Sequence, residues 1–483
     1  MYVMGIDAGT QSIKVLVYDS VAHKKVALAK APLTLISKSD GTREQKAESW
    51  LTALEDAILS IPEDIRENVE AIAISGQQHG FVPLSQSGEV LYNVKLWCDT
   101  STINECKEIS EIAGKEVLEE CGNPILPGYT ASKILWLKKY YPELYDKVWR
   151  VMLPHDYLNY VLTGAAVMER GDASGTGLMD IRSGKWDLRI CNAISSDLIQ
   201  KLPEIREEGV IGFVTKNAAK RFGLKEGTKV TSGGGDNMMA AIGTRAVRDG
   251  SITISLGTSG TMFSSSSTPV IDSKTNLASF RSSHGTWLPL LCTMNCTVAT
   301  EAFRKARGLS VDELSTLASS APIGSEGVVF LPFLNGERFP DLPKGEGVFG
   351  GFNNENLKDA NMARSIFEGV TFEFLLGLDS FKGASEITLT GGGAKSKFWR
   401  QLISDVLNLP VRLSSEEEAA AFGAALQALW IVENKRTIGE IVDEHLSLSS
   451  EPLTMPNTLN HEMYMKHYEK WKSYVNALTP LFS

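Results

Sequence analysis

Two short turns, one in each half of the chain, constrain its fold more than any other feature. Ala8-Gly9-Thr10-Gln11-Ser12 joins the apolar, β-branched runs Val3–Ile6 and Ile13–Asp19, and Leu256-Gly257-Thr258-Ser259-Gly260 joins Ser251–Leu256 to Thr261–Ser264. Each reads as a β-hairpin whose tight turn is built from glycine and hydroxyl-bearing residues. Such a turn aims backbone N–H groups and hydroxyls at one point, which suits a phosphate. Either one alone could be an ordinary polar turn. The repeat predicts two lobes of related architecture, each presenting a hairpin to a shared cleft.

Asp7 stands at the end of the first strand and faces the same point as its turn. A carboxylate there repels phosphate unless a cation lies between, the setting of a hydrated Mg²⁺, which keeps its waters and uses few carboxylates. Near the middle of the chain, Thr228-Lys229-Val230 reads as a strand and Met238–Gly243 as a helix, with Thr231-Ser232-Gly233-Gly234-Gly235-Asp236-Asn237 between them. The glycines let backbone approach another body closely. They deliver Asp236 at the first turn of the helix, on the edge where α/β proteins bind ligands. Asp236 is either a helix cap or a base for a substrate hydroxyl. The arrangement of the rest of the chain favours the base.

Val69–Ser75 is a buried-type strand that runs into Gly76-Gln77-Gln78-His79-Gly80. Gln78 and His79 thus stand where two strands meet, offering hydrogen bonds of the kind that recognise a polyol or ketose. Lys95-Leu96-Trp97-Cys98-Asp99 ends another short strand in Trp97 and Asp99, which would form a sugar wall. Glu386–Thr390, Gly391-Gly392-Gly393-Ala394 and Ser396–Leu407 repeat the strand–glycine–helix pattern without the acid, a platform fit for a base or ribose.

Helices are expected at Glu44–Leu59, Thr130–Tyr141, Asn295–Ala306 and the Ala-rich Glu416–Trp430. Another follows Leu153-Pro154-His155-Asp156, with Asp156 as its N-cap and Gly164 as its stop. Gly336–Pro340 is a loop in which Glu337 and Arg338 could pair, and Thr437–Ser483 reads as a helical appendage.

With 483 residues the chain can form about three domains or two large α/β halves. A net charge of −10 without any basic block argues against nucleic-acid or anionic-membrane partners. The six cysteines include no C-x-x-C pair, which fits a reduced, cytoplasmic setting better than a zinc or disulfide scaffold. The N-terminus meets Asp7 without a basic region, so no signal peptide is expected, and no apolar run approaches the ~18 residues of a membrane span. There is no phosphate-binding G-x-x-x-x-G-K-[ST] loop. Gly345-Glu346-Gly347-Val348-Phe349-Gly350 matches G-x-G-x-x-G, but Pro343-Lys344 stand where a strand is required.

In this order, these motifs resemble the FGGY carbohydrate kinases over nearly the whole chain, most closely the members acting on D-xylulose. Gly128–Leu137 looks like the family's first signature. Gly347–Phe352, continued by Asn361-Met362 and Ser365–Glu368, looks like its second. The resemblance implies an α/β fold of two ribonuclease-H-like, actin-like ATPase domains, expected at 1–245 and 246–483, with ATP and a ketose in the cleft between them. It implies Asp236 as general base and Asp7 as the acid near Mg²⁺ and the phosphates. Thr10, Gln11 and Ser12 would face the phosphates from one lobe and Gly257 and Thr258 from the other, with Gly392, Gly393 and Ala394 beside the adenosine. Gln78 and His79 match the pair used on the sugar. Gln78 replaces a common Met, while Cys98 and Ser101 replace a common Asn and Arg. A homodimer is expected by the same resemblance. The alternatives are a sister kinase for another polyol or ketose such as ribulose, and a non-catalytic nucleotide switch of the actin kind.

Overall fold

The computed structural model describes residues 1–272, 277–447 and 449–482. Strands are numbered here through the two main sheets. In the first half, β1 (Tyr2–Ala8), β2 (Ser12–Asp19) and β3 (Lys24–Pro32) form an antiparallel meander. β4 (Val69–Gly76) then runs parallel to β1 on its other side. β5 (Val210–Phe213), β6 (Lys229–Thr231) and β7 (Gly234–Gly235) complete the sheet, and both β6 and β7 pair with β4 in parallel.

The second half repeats the plan. β8 (Ser251–Leu256) and β9 (Gly260–Ser264) form the second hairpin, and β10 (Ala278–Arg281) reaches β9 through β11 (Trp287–Thr293). β12 (Glu386–Thr390) runs parallel to β8, and β13 (Val411–Leu413) runs parallel to β12. With β5, β7 and β10 set aside, the orders β3-β2-β1-β4-β6 and β11-β9-β8-β12-β13 follow one plan: a hairpin, a third antiparallel strand outside it, and two parallel strands on its other side. This is the paired ribonuclease-H-like architecture.

The central strands are apolar on both faces, as buried parallel strands must be. Met4, Ile6 and Ala8 of β1 face one way, into a core that includes α1 (Ala47–Leu59) with Trp50, Leu51, Leu54 and Ile58. Val3 of β1 and Leu16 of β2 face the other way, towards helices held between the sheets. α2 (Thr130–Tyr140) and α3 (Pro154–Thr163) flank the first half. α4 (Asp236–Gly243) lies between the sheets, while α5 (Thr297–Ala306), α6 (Asp359–Gly377) and α7 (Lys397–Leu407) belong to the second half. α8 (Ala419–Glu433) joins α4 between the sheets, followed by α9 (Ile438–His445) and α10 (Thr458–Leu478). No helix among the described residues is long and apolar enough to cross a membrane.

Two expectations need correcting. Asp156 is the third residue of α3, not its cap: Pro154 opens the helix, and the Asp156 carboxylate accepts the backbone N–H of Glu169 at 3.2 Å. The C-terminal stretch is no appendage. Tyr464, Tyr468, Trp471 and Val475 form a helical stripe buried in the second core, and Trp471 donates its indole N–H to the Phe330 carbonyl at 3.0 Å.

The Ala-rich composition of α8 lets it approach α4 backbone to backbone. A Cβ on Gly423 would stand 1.9 Å from the Met239 carbonyl oxygen, a helix backbone that has no room to yield. Gly423→Ala should therefore lower the urea midpoint by an amount equivalent to about 1–3 kcal/mol, the usual cost of overpacking. An unchanged midpoint would mean that the helices separate freely here.

Candidate active site

The strand register brings the candidate residues to one edge. Asp7 and Gly234 both pair with Ser75, on either side of β4, and Ala8 and Gly235 both pair with Gly76. The chain therefore leaves β1, β4 and β7 at neighbouring points, carrying Gly9–Gln11, Gln77–His79 and Asp236–Asn237 out together at the strands' carboxyl ends. Gly233 makes this possible. Its φ is +66°, and a Cβ there would meet the Ile74 carbonyl oxygen at 2.1 Å.

Asp236 is the first residue of α4, and the cap position belongs to Gly235, which has no side chain to cap with. One oxygen of Asp236, Oδ1, accepts from the backbone N–H of Asn237 at 2.8 Å and from its Nδ2 at 3.0 Å. The same Nδ2 donates to Gln78 Oε1 at 3.0 Å, so the amide of Asn237 bridges the acid to the wall beside it. Burial raises the Asp236 pKa to about 7, with further contributions from the negative charges of Asp7 and Asp172. Burial also raises Asp7, against the Lys14 ammonium and a 3.0 Å hydrogen bond from the Ser75 hydroxyl. A carboxylate with a pKa near neutrality can both hold and release a proton under ordinary conditions.

The cleft between the halves encloses a cavity of about 750 Å³. The first half contributes Gln78, His79, Trp97, Tyr129, Asp236 and Asn237, and the second Gly257, Thr258, Ser259, Phe280 and Arg338. His79 is held at φ +63°, stacked on Tyr129 with ring centroids 4.6 Å apart, and its Nδ1 is 2.6 Å from the Gly175 carbonyl. That carbonyl can only accept, so Nδ1 carries the proton and Nε2 offers a lone pair to the cavity. Burial, followed by the Lys133 charge, lowers the His79 pKa to about 3, which keeps the ring neutral.

Trp97 donates its indole N–H to Thr10 Oγ1 at 3.0 Å, and Thr10 Oγ1 in turn donates to Gln77 Oε1 at 2.9 Å. Gln45 closes the loop, giving its amide to the Thr10 carbonyl at 2.7 Å and accepting from Gln77 at 3.0 Å. The first hairpin turn and the Trp97 side of the cavity are thus one bonded unit. In the second turn, the carbonyls of Gly257 and Thr258 are taken by the start of α5, which leaves the Thr258 and Ser259 side chains on the cavity wall.

The structure does not bring every expected residue to the cavity. Asp7, Thr10, Gln11 and Ser12 lie beside it rather than in its wall; Gly391 and Gly393 lie next to Leu256 at the end of β8, and Gly392 between them has open space where a side chain would stand. Ala394 is fully buried in the second core, so its methyl group cannot face a nucleotide. Asp99 is also fully buried. It accepts from the Arg43 backbone N–H, from the N–H and hydroxyl of Ser101, and from Lys95, whose ammonium it neutralises together with Glu44. It supports the wall from behind without lining the cavity. His155 and Asp156 lie buried outside the cavity. Glu337 does not serve Arg338 as an ion-pair partner of choice: its oxygens accept from the Met294 and Arg338 backbone and from Asn295. Asn237, Tyr129 and Arg338 had no assigned role from sequence, although each stood inside a quoted motif or loop.

The model described as the N-terminal domain of the FGGY family of carbohydrate kinases matches residues 2–243, and its C-terminal counterpart matches residues 252–432. The xylulose kinase of Haemophilus influenzae is 39% identical over 494 residues, spanning 99% of this chain and 100% of its own. Ligand-bound xylulose kinase from Lactobacillus acidophilus superposes with a TM-score of 0.93 at 25% identity, covering 100% of both chains. Gluconate kinase from the same organism gives 0.91 at 25% identity, covering 99% of this chain and 98% of its own.

The raised pKa of Asp236 has a consequence for stability. Between the unfolded value of 3.8 and the folded value of about 7, the native state binds the extra proton, so stability falls as pH rises through that window. Asp236→Asn should therefore raise the melting temperature at pH 8 more than at pH 4. An equal shift at both would mean that the carboxylate is not destabilised by its site.

Proposed function

This chain belongs to the FGGY family of carbohydrate kinases, and from that premise we propose that it transfers the γ-phosphoryl group of ATP to the 5-hydroxyl of D-xylulose, giving D-xylulose 5-phosphate and ADP. The observation that carries this reading is the free edge of Asp236: a carboxylate with a pKa of about 7 in the wall of an interlobe cavity, opposite the Gly257–Ser259 turn. Relatives named xylulose kinase, matched along their whole length, supply the sugar.

Phosphoryl transfer asks a protein for alignment and charge neutralisation more than for covalent chemistry. The Asp236 carboxylate accepts the proton of the sugar hydroxyl as its oxygen closes on the γ-phosphorus, and Asn237 holds the carboxylate in place. His79 accepts a sugar hydroxyl through Nε2, Gln78 lines the same side, and the Trp97 ring covers an apolar face of the ketose. Gly257 and Thr258 flank the phosphates from one lobe and Thr10, Gln11 and Ser12 from the other, with Gly392 and Gly393 along the adenosine. The raised proton affinities of Asp7 and Asp236 fit a cation between acid and phosphate, so Asp7 would hold a hydrated Mg²⁺ that offsets the triphosphate charge when bound. Closure of the lobes, divided at 245/246, keeps water from competing with the sugar. With ATP as donor, the reaction belongs in the cytoplasm.

A second reading rests on Arg338. A guanidinium in the cavity wall can pair with a substrate carboxylate, as an aldonate would require. A coupled ADP-release assay over xylulose, ribulose, other ketoses and gluconate separates the two, and the highest kcat/KM is expected with D-xylulose. Asp236→Asn should lower kcat by about 10²–10⁴-fold with little change in sugar KM; near-normal turnover would refute the assignment. The acidic limb of kcat/KM should have its midpoint near pH 7, activity falling as Asp236 gains its proton. A midpoint near 4 would rule Asp236 out as the titrating base.

A further inference from the structure

Away from the cleft, the turn between β2 and β3 meets the end of α9. His23 on the turn comes together there with Glu444 and His445 on the helix. Glu444 Oε1 lies 3.6 Å from His23 Nε2 and 3.6 Å from His445 Nε2, and the candidate ligand atoms of the three all fall within 4.8 Å of one another. Ligands at the corners of a zinc tetrahedron, with bonds of about 2.0–2.1 Å, stand roughly 3.3–3.4 Å apart. Both histidine–carboxylate distances are close to that value, and the two stacked rings converge on one point when the exposed His23 ring turns.

His445 is the residue that points to a ligand. It is 5% exposed, and its buried Nε2 has no hydrogen-bond partner among the described residues. Its Nδ1 is 3.2 Å from the Tyr18 hydroxyl, which donates to the His445 backbone carbonyl at 3.4 Å. With the Tyr18 proton placed there, the phenol oxygen accepts from Nδ1–H and leaves a bare lone pair on Nε2. That is the tautomer a metal requires, fixed by an outer partner. Glu444 gives Oε2 to Arg436 and leaves Oε1 facing the two rings. His23 is stacked on His445 at 4.6 Å, and its exposed ring can turn towards an ion.

We propose that His23, Glu444 and His445 bind Zn²⁺, with water as the fourth ligand, and that the ion clips the β2–β3 turn to α9. Two imidazoles and one carboxylate suit zinc, whereas magnesium takes oxygen ligands, so this site is distinct from the one at Asp7. The other histidine cluster cannot do the same. Asp156 and Asp172 approach opposite nitrogens of the His155 ring, at 3.0 and 2.8 Å, so no single ion could be shared by the ring and both acids.

The test uses the full chain, stripped of metal with a chelator that is then removed, and titrated with zinc chloride by calorimetry at about pH 7.5 without nucleotide. One zinc per chain and a rise in melting temperature are expected. His23→Asn should weaken binding roughly tenfold or more and abolish the rise. Asn tolerates the left-handed conformation of residue 23, φ +49°, so the turn itself should survive. Glu444→Gln should also weaken binding, and magnesium chloride in place of zinc should leave the melting temperature unchanged. Zinc held equally well by His23→Asn, as cysteine ligation would produce, overturns the proposal. So does an absence of saturable binding, or an equal effect of magnesium.

Discussion

The contact between α8 and α4 holds the two sheets in one molecule. Each sheet alone is a sound α/β layer, but the strand edges that carry Asp7, Gln78 and Asp236 face the second hairpin only because these two helices pack between them. The approach is close enough that backbone meets backbone at Gly423. A contact with so little slack leaves no room for any side chain at that point.

Electrostatics follows the same geometry. The Lys14 ammonium that restrains Asp7 is itself paired with Glu418, immediately before α8, and the Glu418 charge pushes Asp7 the other way. The proton affinity of an acid in the first half is therefore set partly by the start of a helix from the second half. Beneath the site, burial opposes the charge on His155, but Asp156 and Asp172 raise it well above its ordinary pKa. Asp172 nevertheless adds to the proton affinity of Asp236. This edge of the sheet is thus acidic by construction, which disfavours the empty protein and favours whatever brings positive charge to it.

Both hairpins, the glycine run before Asp236 and the strand that ends at Gln78 could be read from the sequence, because each depends on neighbours a few residues away. What could not be read depended on partners brought from afar. Asp99 looked like a sugar ligand because its short strand carries Trp97, but the fold brings the Arg43 backbone N–H to it and sets Glu44 against the neighbouring Lys95. Ala394 follows two exposed glycines and turns into the core within one residue. Asp156 had the composition of a cap, yet Pro154 took the first position of the helix, and its φ was already suited to that. The burial of α10 could have been found. Tyr464, Tyr468, Trp471 and Val475 are spaced at four, three and four residues, a helical stripe that overall polarity concealed.

The hydrogen bond from Trp97 to Thr10 limits how such a pocket can change. An aromatic wall is an obvious place to reshape a cavity for a bulkier or smaller ligand, but here the indole N–H also anchors the first hairpin turn through Thr10. Enlarging the pocket at this position would loosen that turn at the same time. A change of cavity shape at Trp97 is therefore coupled to the geometry of that turn, whereas an apolar wall residue such as Leu290, on a strand of the second half, has no side-chain hydrogen bond through which to disturb it.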